Sequence, residues 1–156
     1  MARPLPSPLE RGPLTDHILE AINATEIWIG DAVPPEDGGW DLSPDSAGSK
    51  YQAYGVLVPG TTGNTSGPVA DTTAEVQAVY AVNGYGVSRS HCERYMDHVR
   101  KVLVAMSRTM VVLGDSSWKI LQVRCDTIGG IARNDSVEPS EYSETDVYVL
   151  YLSKEL

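Results

Sequence analysis

Two neighbouring segments carry the clearest pattern of apolar and polar positions in the chain. From Thr72 to Val82 apolar residues alternate with polar or small ones, and this period of two predicts a strand with one buried face. From about Ser90 to Ser107 the apolar residues recur every three or four positions, which predicts an amphipathic helix that packs on a sheet. The predicted buried faces hold Ala74, Val76, Ala78, Tyr80 and Val82 on the strand, and Cys92, Tyr95, Met96, Val99, Val102, Leu103 and Met106 on the helix.

The rest of the chain predicts a second helix and further strands. A shorter helix is expected from Leu14 to Ala24 with Thr15 as its N-cap, while Ser90 and Glu93 have the spacing of a capping box in the longer helix. Strands are predicted at 26–30, 51–58, 118–125 and 145–152, and connections at 31–50, 59–68, 83–86 and 126–144. The strand at 72–82 is expected to run antiparallel to the one at 51–58.

The strand at 145–152 is apolar on both faces. It is therefore expected either inside the sheet, covered on both sides, or with one face buried in a subunit contact. Together the elements predict an α+β fold, with a mixed, mostly antiparallel sheet, two main helices packed on it and long inter-strand loops. Four prolines predict a flexible arm over residues 1–13, so residues 14–156 are expected to form a single domain.

The charge of the chain is strongly negative and unevenly distributed. The formal net charge is −9, and residues 16–45 hold eight acidic residues but no lysine or arginine. Seven of the twelve basic residues lie between Arg89 and Arg124. The negative balance disfavours non-specific binding to DNA or to anionic lipid, since both need a basic surface on the protein. The separation of acidic from basic residues would favour head-to-tail association between copies of the chain. It is equally consistent with ordinary solvated surfaces.

The sequence contains no pattern typical of an active site, a metal site or a cofactor site. His91 and His98 are separated by about 10.5 Å of helix rise, too far for both to bind one metal ion. The glycine-rich segment 60–67 lacks the Gly-Lys-Ser/Thr ending of a phosphate-binding loop. Cys92 and Cys125 occupy apolar positions and are predicted to be small buried hydrophobic residues. We therefore predict no enzyme, no cofactor and no metal, and the lack of a long apolar run predicts no membrane contact.

The order of several segments resembles one family of viral structural proteins. The segments are the polar loop at 66–71, the strand that ends at Val82, the Gly-Tyr-Gly run at 84–86 and the helix from Ser88 to Leu103. The runs at 28–35, 38–40, 54–60, 118–125 and 147–152 fit the same order. In this order and spacing the chain resembles the tail terminator proteins of long-tailed bacteriophages, especially those that infect actinobacteria. The resemblance extends over most of residues 14–153, without the proline arm and the acidic segment 31–50.

This resemblance implies a structural virion protein, made in the host cytoplasm and located at the head-proximal end of the tail. Six copies would form a ring on the last ring of tail-tube protein, end the growth of the tube and offer a surface to the filled head. The implied partners are further copies of the chain, the tail-tube protein and a head-completion or neck protein. DNA would pass through the ring lumen without specific binding.

Two alternatives stay open at this point. A head-completion or stopper protein of the neck would share the virion location, the symmetry and the lack of chemistry, and would differ in the partner that it binds. A small-ligand-binding α+β domain would instead use a cleft beside the 59–71 loop, where convergent polar groups are expected.

Three groups of residues are the predicted contacts with partners. They are the polar residues of the long loop, an apolar turn with two glycines, and basic residues of the long helix that are expected to face acidic groups on the next copy. The residues are Thr61, Thr62, Asn64 and Thr65, then Ile128, Gly129, Gly130 and Ile131, and finally Arg94, Arg100 and Lys101. For each of them a plain solvated surface is the alternative.

Overall fold

The computed structural model describes residues 9–25, 27–64, 75–137 and 139–154 of the chain. Within these ranges there are two helices, α1 (Arg11–Asn23) and α2 (Arg89–Val104), and neither is long and apolar enough to cross a membrane. The strands are β1 (Trp28–Asp31), β2 (Gly39–Trp40), β3 (Tyr51–Gln52), β4 (Tyr54–Asn64), β5 (Glu75–Gly86), β6 (Thr109–Leu113), β7 (Ser116–Ile128), β8 (Ala132–Asn134) and β9 (Glu141–Lys154).

Most of these strands form one sheet, in the order β1-β4-β5-β9-β7-β6, with β8 also paired to β9. Only β1 and β4 are parallel, and the other neighbours are antiparallel. β2 and β3 form a separate antiparallel pair. The predicted α+β fold with a mixed, mostly antiparallel sheet is confirmed. β5 runs antiparallel to β4 as predicted, and β9 lies inside the sheet between β5 and β7.

Both helices pack on the same face of the sheet and share one core with it. The described members of the predicted buried face of β5 are at most 5% exposed: Val76, Ala78, Tyr80 and Val82. Ala74 lies outside the described residues. The predicted stripe of α2 is also buried, except for Val102, which is half-buried. Helix and sheet approach closely at Gly86, where a Cβ atom would lie 2.7 Å from the backbone nitrogen of Cys92.

The first helix begins earlier than predicted, at Arg11. Pro13 lies in its first turn, where the missing backbone N–H removes no helical hydrogen bond. The predicted N-cap, Thr15, is instead inside the helix, and its hydroxyl lies 2.9 Å from the hydroxyl of Tyr80 in the core. The predicted proline arm therefore ends sooner than expected, and its residues 1–8 lie outside the described ranges.

The second helix begins at Arg89 because Ser88, not Ser90, is its cap. The Ser88 hydroxyl accepts a hydrogen bond from the backbone N–H of His91 at 3.2 Å, so the predicted capping box is wrong. The helix ends at Val104, before the predicted end. Arg108 then adopts a positive φ of 65°, and the chain turns into β6, a strand that the hydrophobic pattern did not predict.

Several strands run into segments that were predicted to be turns or loops, and β7 is one of them, since it continues to Ile128 inside the predicted connection at 126–144. β4 continues past Pro59 to Asn64, because a bulge between Pro59 and Thr62 shifts its register against β5 and keeps the two strands paired. β5 continues through the predicted turn at 83–86. β9 begins at Glu141, inside the predicted polar connection. Pairing along the full length of a neighbouring strand thus extends each element beyond its local hydrophobic signal.

Candidate functional site

Two of the three predicted contact groups meet at one buried carboxylate. Asp146 on β9 is fully buried, and its Oδ2 lies 2.8 Å from Nη2 of Arg100 on α2. Its Oδ1 accepts a hydrogen bond from the backbone N–H of Gly129 at 3.2 Å. The helix and the turn after β7 are therefore joined through a residue that the sequence analysis did not single out. The strand pattern could have indicated it, since Asp146 shares the face of Tyr148 in an alternating run.

Arg100 is occupied by carboxylates of its own chain. Besides Asp146, its guanidinium binds Asp97 at 2.9 Å and lies 3.8 Å from Glu144. Its side chain is 25% exposed, so only part of it faces solvent. Arg94 and Lys101 differ from it: both are exposed, and neither forms an ion pair with a described residue. The predicted contact of these basic residues with a neighbouring copy stays a prediction, and Arg94 and Lys101 are the members free to make it.

Glu144 lies beside this ion pair with an unusual protonation equilibrium. Its residue is 6% exposed, and its Oε2 has no hydrogen-bond partner among the described residues. Burial, a hydrogen bond with Asp146 and the negative charge of Asp146 raise the pKa of Glu144 to about 7, while the charge of Arg100 opposes the shift. A single guanidinium thus faces two buried carboxyl groups. One of them, Glu144, keeps its proton at pH values well above the ordinary pKa of a glutamate.

The turn between β7 and β8 is constrained by its contact with β9. The Gly129 N–H donates to the Thr145 carbonyl at 3.0 Å as well as to Asp146, and a Cβ atom on Gly129 would overlap that carbonyl oxygen. Gly130, its neighbour, has open space around the corresponding position. Ile128 is 59% exposed and Ile131 packs partly against the core. Of the four predicted contact residues in this turn, Gly129 has a structural role.

The predicted contact residues of the long loop lie elsewhere, at the end of β4. Thr61 is exposed within the bulge, and Thr62 is half-buried opposite Ala78 of β5. Asn64 is the last residue of the strand, opposite Val76, and Thr65 lies outside the described residues. The structure does not bring this group together with Arg100 or with the turn after β7.

The face of the sheet that is turned away from the helices is apolar at its centre. Its residues on β9 are Val147, Val149 and Tyr151, of which Val149 is 4% exposed and the other two are half-buried. The guanidinium of Arg124 lies over the Tyr151 ring, 5.7 Å from its centroid. Among the described residues no helix covers this face, because α1 and α2 both pack on the other one.

This face continues to β6, the last strand of the sheet, and no other strand of the described residues pairs with its outer edge. Met110 and Val112 on this strand are 54% and 70% exposed, and Leu121 on the adjoining β7 is 42% exposed. Natural edge strands are commonly protected by lysine, proline or bulges, and β6 contains no charged residue and no proline. The sequence analysis missed this feature because residues 109–113 are too few for a periodic signal.

The residues weighed for catalysis are poorly suited to it. Cys92 is fully buried, as predicted, and burial with nearby carboxylates raises the pKa of its thiol to about 12, so it is not a nucleophile. Cys125 is only half-buried, against expectation. His91 accepts a hydrogen bond from the Val87 N–H at 3.5 Å, and burial and Arg94 lower its pKa. In the described part of the chain no three His, Cys, Asp or Glu residues are grouped so as to hold a metal ion.

No family model matches the sequence, and no curated protein matches it. Among solved structures, one protein has 13% sequence identity and a TM-score of 0.46, over 94% of this chain and 93% of its own.

The raised pKa of Glu144 leads to a pH-dependent stability that Glu144→Gln should remove. Between pH 4.5, the ordinary pKa of a glutamate, and about pH 7, the raised pKa of Glu144, the folded state binds a proton that the unfolded state releases. The contribution of this proton to stability is therefore complete below pH 4.5 and is lost as the pH rises to about 7. We expect E144Q to gain about 1–3 kcal/mol in unfolding free energy relative to the wild type from pH 4.5 to 8. Urea denaturation at several pH values measures this difference.

The matched control is Glu36→Gln, which removes an exposed carboxylate from the 32–38 loop. The E36Q protein should follow the wild-type pH profile within experimental error. Parallel profiles for E144Q and the wild type would mean that Glu144 ionises in the folded state as readily as in the unfolded chain.

The two glycines of the turn after β7 make a second matched pair. Gly129→Ala places a methyl group against a backbone carbonyl that cannot move without disturbing β9, so we expect a loss of about 1–3 kcal/mol in unfolding free energy. Gly130→Ala, with open space, should change stability by less than about 0.5 kcal/mol. Thermal or urea unfolding distinguishes them, and equal losses would contradict the described packing of the turn.

Proposed function

We propose that this chain is a structural protein of a bacteriophage tail that forms a ring, of six copies on the family pattern, and caps the tail tube. The observation that carries the proposal is the apolar sheet face that no described helix covers and its uncharged edge strand, β6. The exposed part of this surface is its edge, and exposed apolar patches are typical of surfaces that bind other proteins. Met110 and Val112 supply the apolar side chains at that edge. The resemblance of the sequence to tail terminator proteins indicates the assembly in which this apolar edge would make contacts.

The chemistry of the described residues supports an assembly role better than a catalytic one. The buried cluster of Arg100, Glu144 and Asp146 lies inside the fold and joins α2 to β9. The net charge of −9 favours a ring through which DNA slides without binding, since phosphates are repelled by an acidic surface. The partners of such a protein are further copies of the chain, the tail-tube protein and a neck protein.

Electron microscopy of the purified protein with tail tubes tests the proposal directly. Negative-stain images over a concentration series, with and without tubes, should show six-fold rings or density on one end of each tube. Protein that stays monomeric and does not bind the tube, at concentrations where the tubes are intact, would overturn the proposal. Binding to the portal-side adaptor instead of the tube would assign the chain to the neck.

Substitutions on the edge strand should prevent assembly without unfolding the subunit. We expect the double variant Met110→Lys/Val112→Lys to lose rings, because two charges replace the apolar side chains most exposed on β6. Its thermal unfolding should stay near that of the wild type, since both side chains already face solvent in the subunit. Light scattering after size exclusion measures the oligomeric state.

The control for this variant is Val33→Lys/Leu42→Lys. Val33, in the connection between β1 and β2, is 62% exposed and Leu42, in the connection between β2 and β3, is 56% exposed, so the change in charge and exposed apolar area is similar. The control should assemble normally. Equal assembly of both double variants would remove β6 from the interface and with it the main support for the ring.

The two exposed basic residues of α2 test the predicted charged contact separately. We expect Arg94→Glu/Lys101→Glu to weaken rings at low salt and to recover part of the yield at high salt, because the new glutamates repel the acidic groups of the next copy and salt screens that repulsion. Arg100 is kept, since replacing it would leave Asp146 buried without its partner. Rings of unchanged yield in the variant, at low and at high salt, would show that these charges face solvent.

A further inference from the structure

A small aromatic pocket lies at the end of the molecule where the separate β2–β3 pair meets the start of β9. Its volume is about 220 Å³. Trp40 and Tyr51 form one wall, with their rings edge to face and 5.4 Å between centroids. The described residues of the lining are Trp40, Tyr51, Val87, Val137, Pro139, Ser140 and Glu141. Neither the ring proposed above nor the buried cluster around Arg100 uses this pocket.

The aromatic wall is held rigidly by its neighbours. The Tyr51 ring also contacts the rings of His91, at 5.8 Å, and Tyr54, at 6.4 Å, and Tyr54 stacks on Tyr85 at 4.9 Å. β2 and β3 pair Trp40 directly with Tyr51, which fixes both rings on one side of the pair. The pocket is therefore built from side chains whose positions are set before any ligand arrives, which lowers the entropic cost of binding.

Among the described lining residues, Glu141 is the one with a carboxylate, and it gives them their negative charge. The Tyr51 hydroxyl donates to Oε2 of Glu141 at 3.2 Å and orients the carboxylate. Burial and the charge of Glu141 raise the pKa of Tyr51, so that hydroxyl stays a donor. Oε1 of Glu141 has no hydrogen-bond partner among the described residues, and the described lining includes no basic side chain. An anion would be repelled here, whereas a cation would meet a carboxylate and the aromatic rings of Trp40 and Tyr51.

The size of the pocket limits what it can hold. Drug-sized ligands and cofactors occupy pockets of about 300–1,000 Å³, so 220 Å³ is too small for them. It has room for several water molecules at about 30 Å³ each, which is enough for the end of one long side chain. A flat guanidinium or a compact ammonium on an alkyl stem matches both the volume and the mixture of aromatic and charged lining.

We propose that this pocket binds an alkylguanidinium or alkylammonium group, presented as the end of an arginine or lysine side chain on a partner protein. The aromatic rings contact the stem and the face of the cation, and Glu141 accepts hydrogen bonds from its N–H groups. This site is independent of the β6 edge, so it holds or fails separately from the proposed ring.

Titration with small probes tests the chemistry of the pocket. We expect n-butylguanidinium and n-butylammonium, at millimolar concentration, to shift the indole N–H resonance of Trp40 in NMR spectra, with the resonance identified through Trp40→Phe. The neutral n-pentanol and the anion butyrate should shift it much less. Glu141→Gln keeps an acceptor for Tyr51 and removes the charge, so it should weaken binding of the cations about three- to tenfold.

The control is Glu36→Gln, an exposed carboxylate outside the pocket, which should bind the probes like the wild type. If E141Q does not fold, as judged by its NMR spectrum, Trp40→Leu takes its place, with the backbone amide resonance of Ser140 in the lining as the reporter, and should weaken binding by a similar factor. Equal shifts with pentanol, or full affinity in a folded E141Q, would overturn the proposal.

A concentration series on the protein alone distinguishes the source of the cation. If a further copy supplies the basic side chain, the Trp40 resonance should move as the wild-type concentration rises and stay constant in E141Q. If a different protein supplies it, the free cations should bind while the resonance is independent of protein concentration. Either result supports the pocket, and the absence of any response to both cations overturns it.

Discussion

Every strand of a sheet has two faces, and the described part of this chain has two helices to cover them. Both helices pack on the same face, so the apolar residues of α2 and the alternating residues of β5 and β9 form a single core. Antiparallel sheets usually expose a polar second face to water. Here that face has Val147, Val149 and Tyr151 at its centre. This mismatch between apolar sheet area and helical cover is the constraint from which the proposed assembly follows.

The polar interior around Arg100 has a different significance. A buried ion pair contributes little net stability, since the desolvation of both charges offsets most of their attraction. Its geometry, however, is specific, because Arg100 reaches Asp146 only if α2 lies at one position along β9. The backbone N–H of Gly129 donates a hydrogen bond to the other oxygen of the same carboxylate. We interpret the cluster as a device that fixes helix, strand and turn relative to one another. A helix that slid by one turn would leave Asp146 without its guanidinium.

Much of the fold is predictable from sequence because helix α2 and strand β5 each bury one continuous stripe. Their hydrophobic patterns are long enough that single residues that deviate do not obscure the period. In the structure the two buried stripes contact each other in the core. The failures have physical causes. Ser88 rather than Ser90 caps α2, since both residues are equally good caps and only the end of β5 decides between them. β4 runs past Pro59 because a bulge and a long partner strand outweigh a run of turn-forming residues.

The candidate site was harder to predict than the fold. Arg100 and Gly129 were singled out separately, as a surface charge and as a turn, and only the tertiary structure joins them through Asp146. An alternating strand that is extended backwards from Tyr148 places two acidic residues on the core side, which is a signal for a buried partner of opposite charge. The sequence of β6 contains no comparable signal for its exposure. Whether a strand is exposed at an edge depends on the order of the strands in the sheet, which its own residues do not specify.

The two edges of the sheet also differ in a way that bears on the proposed ring. If β6 met β6 of a second copy, the contact would be isologous and the assembly would stop at a dimer. A closed ring needs β6 to meet a different surface of the next copy. The edge at β1 ends in Asp31 and continues into an acidic connection, which is a poor match for Met110 and Val112. The outer face beside Val149 matches them better, because the half-buried Val147 and Tyr151 have apolar area that such a contact would bury together with that of β6, and Lys119, opposite Met110, remains to pair with an acidic group of the next copy.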